Sequence, residues 1–383
     1  MSCIVCGTGT LTAINGYSDL SRITSDCRPF EKGGALFKCS QCLAVQKSDS
    51  PAWRLDCEKI YKSYDVYSVS AGLEQSVRGG GAESVYGRRS DIVLSEAEKL
   101  LTLPEQGRFL DFGCGSGVSS SAASDRFTGW SIDGFDLDTR QEETLGKIGG
   151  FEKLFVGDPK DIDEKYDLIM LTHVLEHVPD PSETLRTLSK LLTANGAIIV
   201  QVPDRANNPY DLLVADHLMH FDLDSLSSVC RRSELTVLNL ANDWVMKELS
   251  LVAVSRDEGL PDAGLAKHTL ADPEAHIAWL RSVGKFCSEH REKRPLGIFG
   301  TSLVATWMTE ELGRAPDFYL DEDPAKIGQA LGGVEILSPP DAPAHSVVIP
   351  AMASAVARLV ASRYQDKDFL FAFVPDFDER TKS

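Results

Sequence analysis

No apolar run in this 383-residue chain approaches the roughly 18 residues that a membrane-crossing helix requires. Positive charge is also short: 39 Lys and Arg face 57 Asp and Glu, for a formal net charge of -18. That balance disfavours nucleic acid as a substrate, because phosphate backbones need a basic surface, yet an anionic small molecule could still bind in a locally basic pocket. The N-terminus shows no signal-peptide pattern, so a cytoplasmic protein with neither a membrane nor a nucleic-acid partner is expected. Cysteine is scarce, nine residues unevenly placed, too few for a disulfide framework in a chain this long. The rest is ordinary for a globular protein, with 43% hydrophobic and 25% charged residues, and the length suggests two or three domains.

Four of the cysteines form two Cys-x-x-Cys pairs, Cys3/Cys6 and Cys39/Cys42. Each pair can set two thiolates on one side of a tight knuckle, with Gly7 relieving the first turn, and two knuckles complete a tetrahedral S4 site for Zn2+. Redox chemistry is the rival, but it needs only one such pair in a thioredoxin-like setting. Cys27 and Cys57 read as buried small hydrophobes.

The expected organisation is a zinc-binding module at 1–60, a bridging segment and helix at 61–107, a doubly wound α/β domain at 108–255 and a smaller C-terminal Rossmann-like α/β domain at 265–383. Apolar spacing predicts a helix over 83–102. Strands are predicted at 108–112, 131–136, 152–156, 166–171, 197–202, 234–240 and 248–254, with helices at 117–125, 139–148, 181–193 and 222–232. Asn195-Gly196 is predicted to stop the third of these helices. In the C-terminal unit a helix at 273–290 precedes strand 296–299, a Gly300 turn, a helix at 303–313 and strands at 317–320, 346–349 and 369–374 in a parallel sheet.

Residues 109–117 read Phe-Leu-Asp-Phe-Gly-Cys-Gly-Ser-Gly, and Asp136 closes a second apolar segment 23 residues after Gly113. A strand, a glycine turn, a helix and a second strand ending in an acid make a nucleoside-binding half-fold. Gly113, Gly115 and Gly117 let the backbone turn tightly against a ligand, and Asp136 would aim its carboxylate at a ribose diol. The spacing is not the dinucleotide Gly-x-Gly-x-x-Gly, so a pyrophosphate is not the natural guest.

Histidines supply the other chemistry. His173-Val174-Leu175-Glu176-His177 follows the strand at 166–171, where open α/β sheets bind ligands. Glu176 and His177 read as helix-start hydrogen bonders, and His173, nearer the strand tip, faces a substrate better. Asp216-His217-Leu218-Met219-His220-Phe221 lies in a long loop suited to a lid. His217 with a neighbouring carboxylate could serve as a general base near neutral pH; the alternative is that His217 and His220 pack and hydrogen-bond without chemistry.

The glycine turn resembles motif I of the class I S-adenosylmethionine methyltransferases, with Asp111, Gly113, Gly115 and Gly117 in the motif and Asp136 at the ribose position. His173-x-x-Glu176-His177-x-x-Asp180-Pro181 is also common in that class. This resemblance implies that Asp158, in Gly157-Asp158-Pro159, contacts the adenine amine, with a simple turn as the other reading. A sharper resemblance spans nearly the whole chain: the two Cys-x-x-Cys pairs, Tyr64-x-x-Tyr67-Ser68, motif I, Asp216-His217 with Phe221, then Asp321-Glu322-Asp323-Pro324 and Leu331-Gly332-Gly333-Val334. The chain resembles the three-domain sugar C-methyltransferases, which methylate keto-deoxysugars carried on a nucleoside diphosphate. The resemblance implies that His217, oriented by Asp216, is the base, that Tyr67 or, less well, Tyr64 reaches the active site, and that His173 faces the sugar. Two positions depart from the pattern: the C-terminal turn Gly300-Thr301-Ser302-Leu303 is poorer in glycine, and His220 replaces an aromatic three places after the base.

The expected reaction is therefore base-generated enolate formation at a keto sugar, followed by attack on the S-adenosylmethionine methyl group. An O- or N-methyltransferase on another small metabolite and a zinc-stabilised S-adenosylmethionine-binding protein without catalysis are the alternatives.

Overall fold

Seven strands after residue 107 form one sheet in the computed structural model, which describes residues 2–62, 64, 76–78, 86–256, 263 and 272–377. They are β1 (Arg108–Phe112), β2 (Ser131–Asp136), β3 (Phe151–Val156), β4 (Tyr166–Thr172), β5 (Leu192–Pro203), β6 (Leu235–Ala241) and β7 (Glu248–Ser255). Their spatial order is β3-β2-β1-β4-β5-β7-β6. Pairing is parallel from β3 to β5, and β7 runs antiparallel to both its neighbours. Leu168 to Leu171 of β4 and Ala197 to Val202 of β5 are buried, as expected of central strands covered on both faces. The covering helices include α1 (Val118–Arg126), α2 (Pro181–Ser189) and α3 (Leu223–Arg232). Strand order reverses between β1 and β4, which opens a crevice at the carboxyl ends of these strands.

Several expected elements differ. The helix expected at 139–148 is one turn, Glu142–Leu145, because Gly146, Gly149 and Gly150 follow it. Residues Arg89–Glu98 form the helix expected at 83–102, and Tyr86–Arg88 before it pairs as a strand with Ser76–Arg78. Asn195-Gly196 does not stop a helix: α2 ends at Ser189, and the dipeptide lies inside β5 where the register with β4 slips between Tyr166 and Leu168. Its turn propensity is used to bulge a strand.

An N-terminal sheet joins Leu11–Ala13, Phe37–Cys39 and Val45–Gln46, and its fourth strand is Met219–His220 from the loop after β5. The cysteine module is thus completed by chain from outside residues 1–60. The C-terminal sheet has parallel strands Leu296–Phe299, Phe318–Leu320, Val334–Leu337, Ser346–Pro350 and Phe369–Phe371. It is not wholly parallel: Ala330–Leu331 pairs antiparallel with Val334–Leu337. Gly332 and Gly333, at φ 57° and 82°, make that two-residue hairpin turn, which needs positive φ at both positions. No helix of the described residues is long and apolar enough to cross a membrane.

One apolar cluster ties the loop after β5 to both flanking units. Tyr210, Leu212 and Leu213 pack with Tyr17, Ile23 and Val45 of the N-terminal module and with Ile277, Leu280 and Trp307 of the C-terminal unit. Leu213 is fully buried there. Leu213→Ala should cost about 2–5 kcal/mol and lower the melting temperature in a thermal scan; a melting curve like that of the parent would mean the loop is not clamped.

Candidate active site

The glycine turn sits at the crevice. Gly113, Gly115 and Gly117 have φ of 80°, 50° and 83°, a region costly for side-chain-bearing residues. A Cβ on Gly113 would stand 2.3 Å from Val174 Cγ2, and one on Gly117 would stand 2.5 Å from Ile148 Cδ1. A Cβ on Gly115 would meet no heavy atom within 4 Å, so that edge of the turn is open to a ligand. Asp136, half-buried at the end of β2, accepts hydrogen bonds from Gly115 N at 2.7 Å and Leu137 N at 2.6 Å. Leu137 beside it is 72% exposed. Asp111 is buried and accepts from Ser120 N (2.9 Å) and Ser120 Oγ (2.7 Å), tying the strand end to α1 beneath the turn. Asp158 is exposed and caps the short 3-10 helix Pro159–Asp161 by accepting from Lys160 N. An open turn with a preset carboxylate beside it fits a nucleoside.

The loop after β5 carries the imidazoles. Asp211, in the 3-10 helix Pro209–Leu213, takes His217 Nδ1 on Oδ1 at 2.7 Å and His220 Nδ1 on Oδ2 at 2.6 Å. All three are buried. The carboxylate against His217 is therefore Asp211, which corrects the expected pairing with Asp216. Neighbours in a tight chain turn point apart, and Asp216 instead accepts from Ser25 N (2.9 Å) and Ser25 Oγ (2.5 Å). Ser25 Oγ also lies 3.1 Å from the Tyr64 hydroxyl. Burial raises the cost of charge on Asp211, but His220 and His217 hold its carboxyl well below the usual range. Burial lowers the His217 pKa, Asp211 outweighs that, and the net direction is upward.

His220 Nε2 lies 2.9 Å from Lys47 Nζ, which also donates to Val214 O (2.7 Å) and His217 O (2.8 Å). Three acceptors match the three N–H donors of an ammonium. Burial, reinforced by Lys47, pushes His220 down to about 3. Burial also pushes Lys47 down to about 7 despite the pull of Asp211.

His173 caps β4 with φ 54°, a strained conformation for a histidine. Its Nδ1 lies 3.2 Å from Glu176 Oε1 and its Nε2 3.5 Å from Glu248 Oε1. Burial lowers its pKa, but Glu248 and Glu176 prevail over both burial and Arg89 and raise it to about 9. His177 meets the His217 ring edge-on, with centroids 4.6 Å apart, and its Nδ1 lies 3.1 Å from the Tyr61 hydroxyl. Glu176, His177 and His217 bring potential ligand atoms within 4.8 Å of one another. Val174, against Gly113, connects this cluster to the glycine turn. Tyr67 lies outside the described residues.

The four Sγ atoms of Cys3, Cys6, Cys39 and Cys42 lie within 4.8 Å of one another, with Cys3–Cys42 at 3.6 Å and Cys6–Cys39 at 3.7 Å. A tetrahedral ion bound at ~2.3 Å places its sulfurs ~3.8 Å apart. Gly9 N reaches Cys6 Sγ at 3.2 Å, and Gln41 N reaches Cys39 Sγ at 3.4 Å. A Cβ on Gly9 would fall 2.1 Å from Cys39 Sγ, so the cradle excludes a side chain there. The sulfurs thus fit a thiophilic divalent ion. Cys27 and Cys57 stand apart from this cluster.

Sequence reasoning missed Asp211, Lys47, Ser25, Tyr61 and Glu248. Asp211 stands six positions before His217, and no local pattern marks it. The other four reach the site from distant segments.

A twisted open sheet with a nucleoside turn at its switch point defines an α/β Rossmann-like fold. Residues 87–240 match the family model described as Methyltransferase domain. Trans-aconitate 2-methyltransferase from Variovorax paradoxus (strain S110) is 26% identical over 208 residues, 52% of this chain and 78% of that protein. Ubiquinone biosynthesis O-methyltransferase from Aeromonas salmonicida (strain A449) is 28% identical over 126 residues, 29% of this chain. The chain spans 50% of the length of this second relative. A solved S-adenosylmethionine-dependent methyltransferase from Clostridium acetobutylicum ATCC 824 aligns with TM-score 0.37 and 11% identity over 54% of this chain and 98% of its own. Residues 87–240 are thus similar to a methyltransferase domain.

The Lys47 environment has a measurable sign. The unfolded chain keeps this proton up to about pH 10.4, whereas the folded protein releases it near pH 7. Lys47 therefore makes stability climb with pH between those limits and adds no slope below them. Lys47→Met should flatten that part of a curve of urea midpoint against pH; an unchanged slope would show the amine to be solvated.

Proposed function

We propose that this chain transfers the methyl group of S-adenosylmethionine to a carbon acidified by a neighbouring ketone, in a keto-deoxysugar carried on a nucleotide. The observation that carries the reading is a buried imidazole, His217, anchored by a carboxylate and connected through His177 and Val174 to the open glycine turn. The order of motifs along the chain supplies the sugar.

Bound S-adenosylmethionine would supply an electrophilic methyl group and its own leaving group. Asp136 holds the ribose diol, Gly113, Gly115 and Gly117 keep the turn clear of side chains, and Asp111 braces that turn from below. Asp158 is the proposed contact for adenine. His217 removes the proton next to the ketone through Nε2, the nitrogen that no hydrogen bond reaches among the described residues. Asp216 positions Ser25 over the same pocket. Tyr67 and His173 are the proposed donors to the enolate oxygen; His173 would reach it by giving up Glu248, its longer contact. The flanking units exclude water and set both reactants in line. Cys3, Cys6, Cys39 and Cys42 are proposed to hold Zn2+ as a structural ion.

A second reading, O-methylation of a small metabolite with the same base, is favoured by the activities named for the curated relatives. Labelled methyl donor and a nucleotide-sugar extract separate the two: a new C–CH3 resonance supports the first, a methoxy or methyl-ester resonance the second. His217→Asn should remove turnover, by roughly 10²–10⁴-fold for a lost general base, and leave calorimetric S-adenosylmethionine affinity intact. Turnover in the parent should rise with pH to a plateau above the ordinary imidazole range, because its base must be neutral and its pKa is raised. Asp136→Ala should abolish donor binding; retained affinity would move the ribose elsewhere.

Metal content gives the remaining test. Exchanging Cys39 and Cys42 for Ser should release one Zn2+ per chain by elemental analysis and lower the melting temperature. An equal metal content in parent and variant would refute the site.

A further inference from the structure

A neutral imidazole has two tautomers, and only one leaves Nε2 as a proton acceptor. Asp211 has two carboxylate oxygens, and each meets a different Nδ1: Oδ1 that of His217 and Oδ2 that of His220. A carboxylate accepts and does not donate, so both Nδ1 atoms must carry hydrogen. Lys47 secures the arrangement from the far side. Were His220 protonated on Nε2 alone, that N–H would face the Lys47 amine, itself a donor, at 2.9 Å. While it carries its ammonium charge, Lys47 has no lone pair and obliges His220 to donate from Nδ1; once the amine is neutral, the contact with Asp211 Oδ2 alone holds that tautomer, and the other oxygen is left for His217. The same amine holds the carbonyls of Val214 and His217, and Lys47 N donates to Leu218 O at 2.7 Å.

We propose that Asp211 and Lys47 are positioning residues that hold His217 in its Nδ1–H tautomer, leaving Nε2 as the proton acceptor. This rests on the reading of His217 as the base. A divalent cation inside the Asp211–His217–His220 group is the competing use of the same residues. The Lys47 amine 2.9 Å from His220 Nε2 opposes it, and both carboxylate oxygens are already engaged by N–H groups. Lys47 directly follows the strand Val45–Gln46, so the cysteine module delivers one of the two positioning groups to a pocket built by the methyltransferase domain.

The test is nitrogen NMR of the full chain labelled with 15N in histidine, followed against pH. The groups facing His217 are Asp211, Glu176, Asp216, His177 and His220, and those facing Lys47 are His220, Asp211, Asp216, Arg22, Cys57 and the Tyr17 ring. Above its titration midpoint, parent His217 should show a protonated Nδ1 and a bare Nε2. Asp211→Asn should lower that midpoint by about one pH unit or more and bring in the Nε2–H tautomer, with calorimetric affinity for S-adenosylmethionine unchanged. Lys47→Met should let His220 populate its Nε2–H form. A parent His217 protonated on Nε2, or an Asp211→Asn protein with the same midpoint and tautomer, overturns the proposal. The parent spectrum decides even if a variant does not fold. Persistent turnover in His217→Asn would instead sink the base assignment and leave the tautomer result standing, so the two failures are distinct.

Discussion

A carboxylate buried among imidazoles is tolerable only when both of its oxygens are met, and Asp211 meets that condition through His217 and His220. The condition propagates outward. His220 must in turn be satisfied on its other nitrogen, which requires an amine, and that amine requires the carbonyls of Val214 and His217. The loop after β5 cannot take this shape in water, where Asp211 would be hydrated and the imidazoles free to rotate. Its conformation depends on being covered by the N-terminal module on one side and the C-terminal unit on the other.

The two parts of the site are accordingly built on different principles. The glycine turn hangs from two adjacent strands of a parallel sheet and would keep its shape with little help from elsewhere. The imidazole pocket borrows its walls: Ser25 and Lys47 from the first fifty residues, Met219–His220 as an added strand, and Tyr210 lodged against Trp279 and Trp307. Residues 87–240, which match the methyltransferase-domain model, hold the first part by themselves. The imidazole pocket also needs the flanking units, which lie outside the residues 87–240 that match the family model.

How much of this was readable from the chain follows from how local each signal is. The turn at Gly113 to Gly117, Asp136, each Cys-x-x-Cys pair and all seven central strands reveal themselves through spacing or apolar runs within about 30 residues. Asp211 did not, because adjacency suggested Asp216, which hydrogen-bonds Ser25, whereas the backbone turn brings Asp211 onto His217 Nδ1. Asn195-Gly196 has the composition of a helix stop, yet tertiary pairing with β4 used it as a bulge. Lys47 would be read as a solvated surface lysine by any local rule. Only the strand pairing of Val45–Gln46 with Met219–His220 brings it inside.

That pairing has a consequence for how the molecule is made. Ser25 and Asp216 are 191 positions apart, and Lys47 and His220 are 173 apart. Closing loops of that length spends chain entropy before any hydrogen bond compensates. The amino-terminal hairpins leave the ribosome long before the segment they enclose exists, so they must wait, edge exposed, for a strand made much later. The glycine turn can form as soon as its own strands are synthesised, whereas the imidazole pocket must wait until residues 211–220 meet the N-terminal strands.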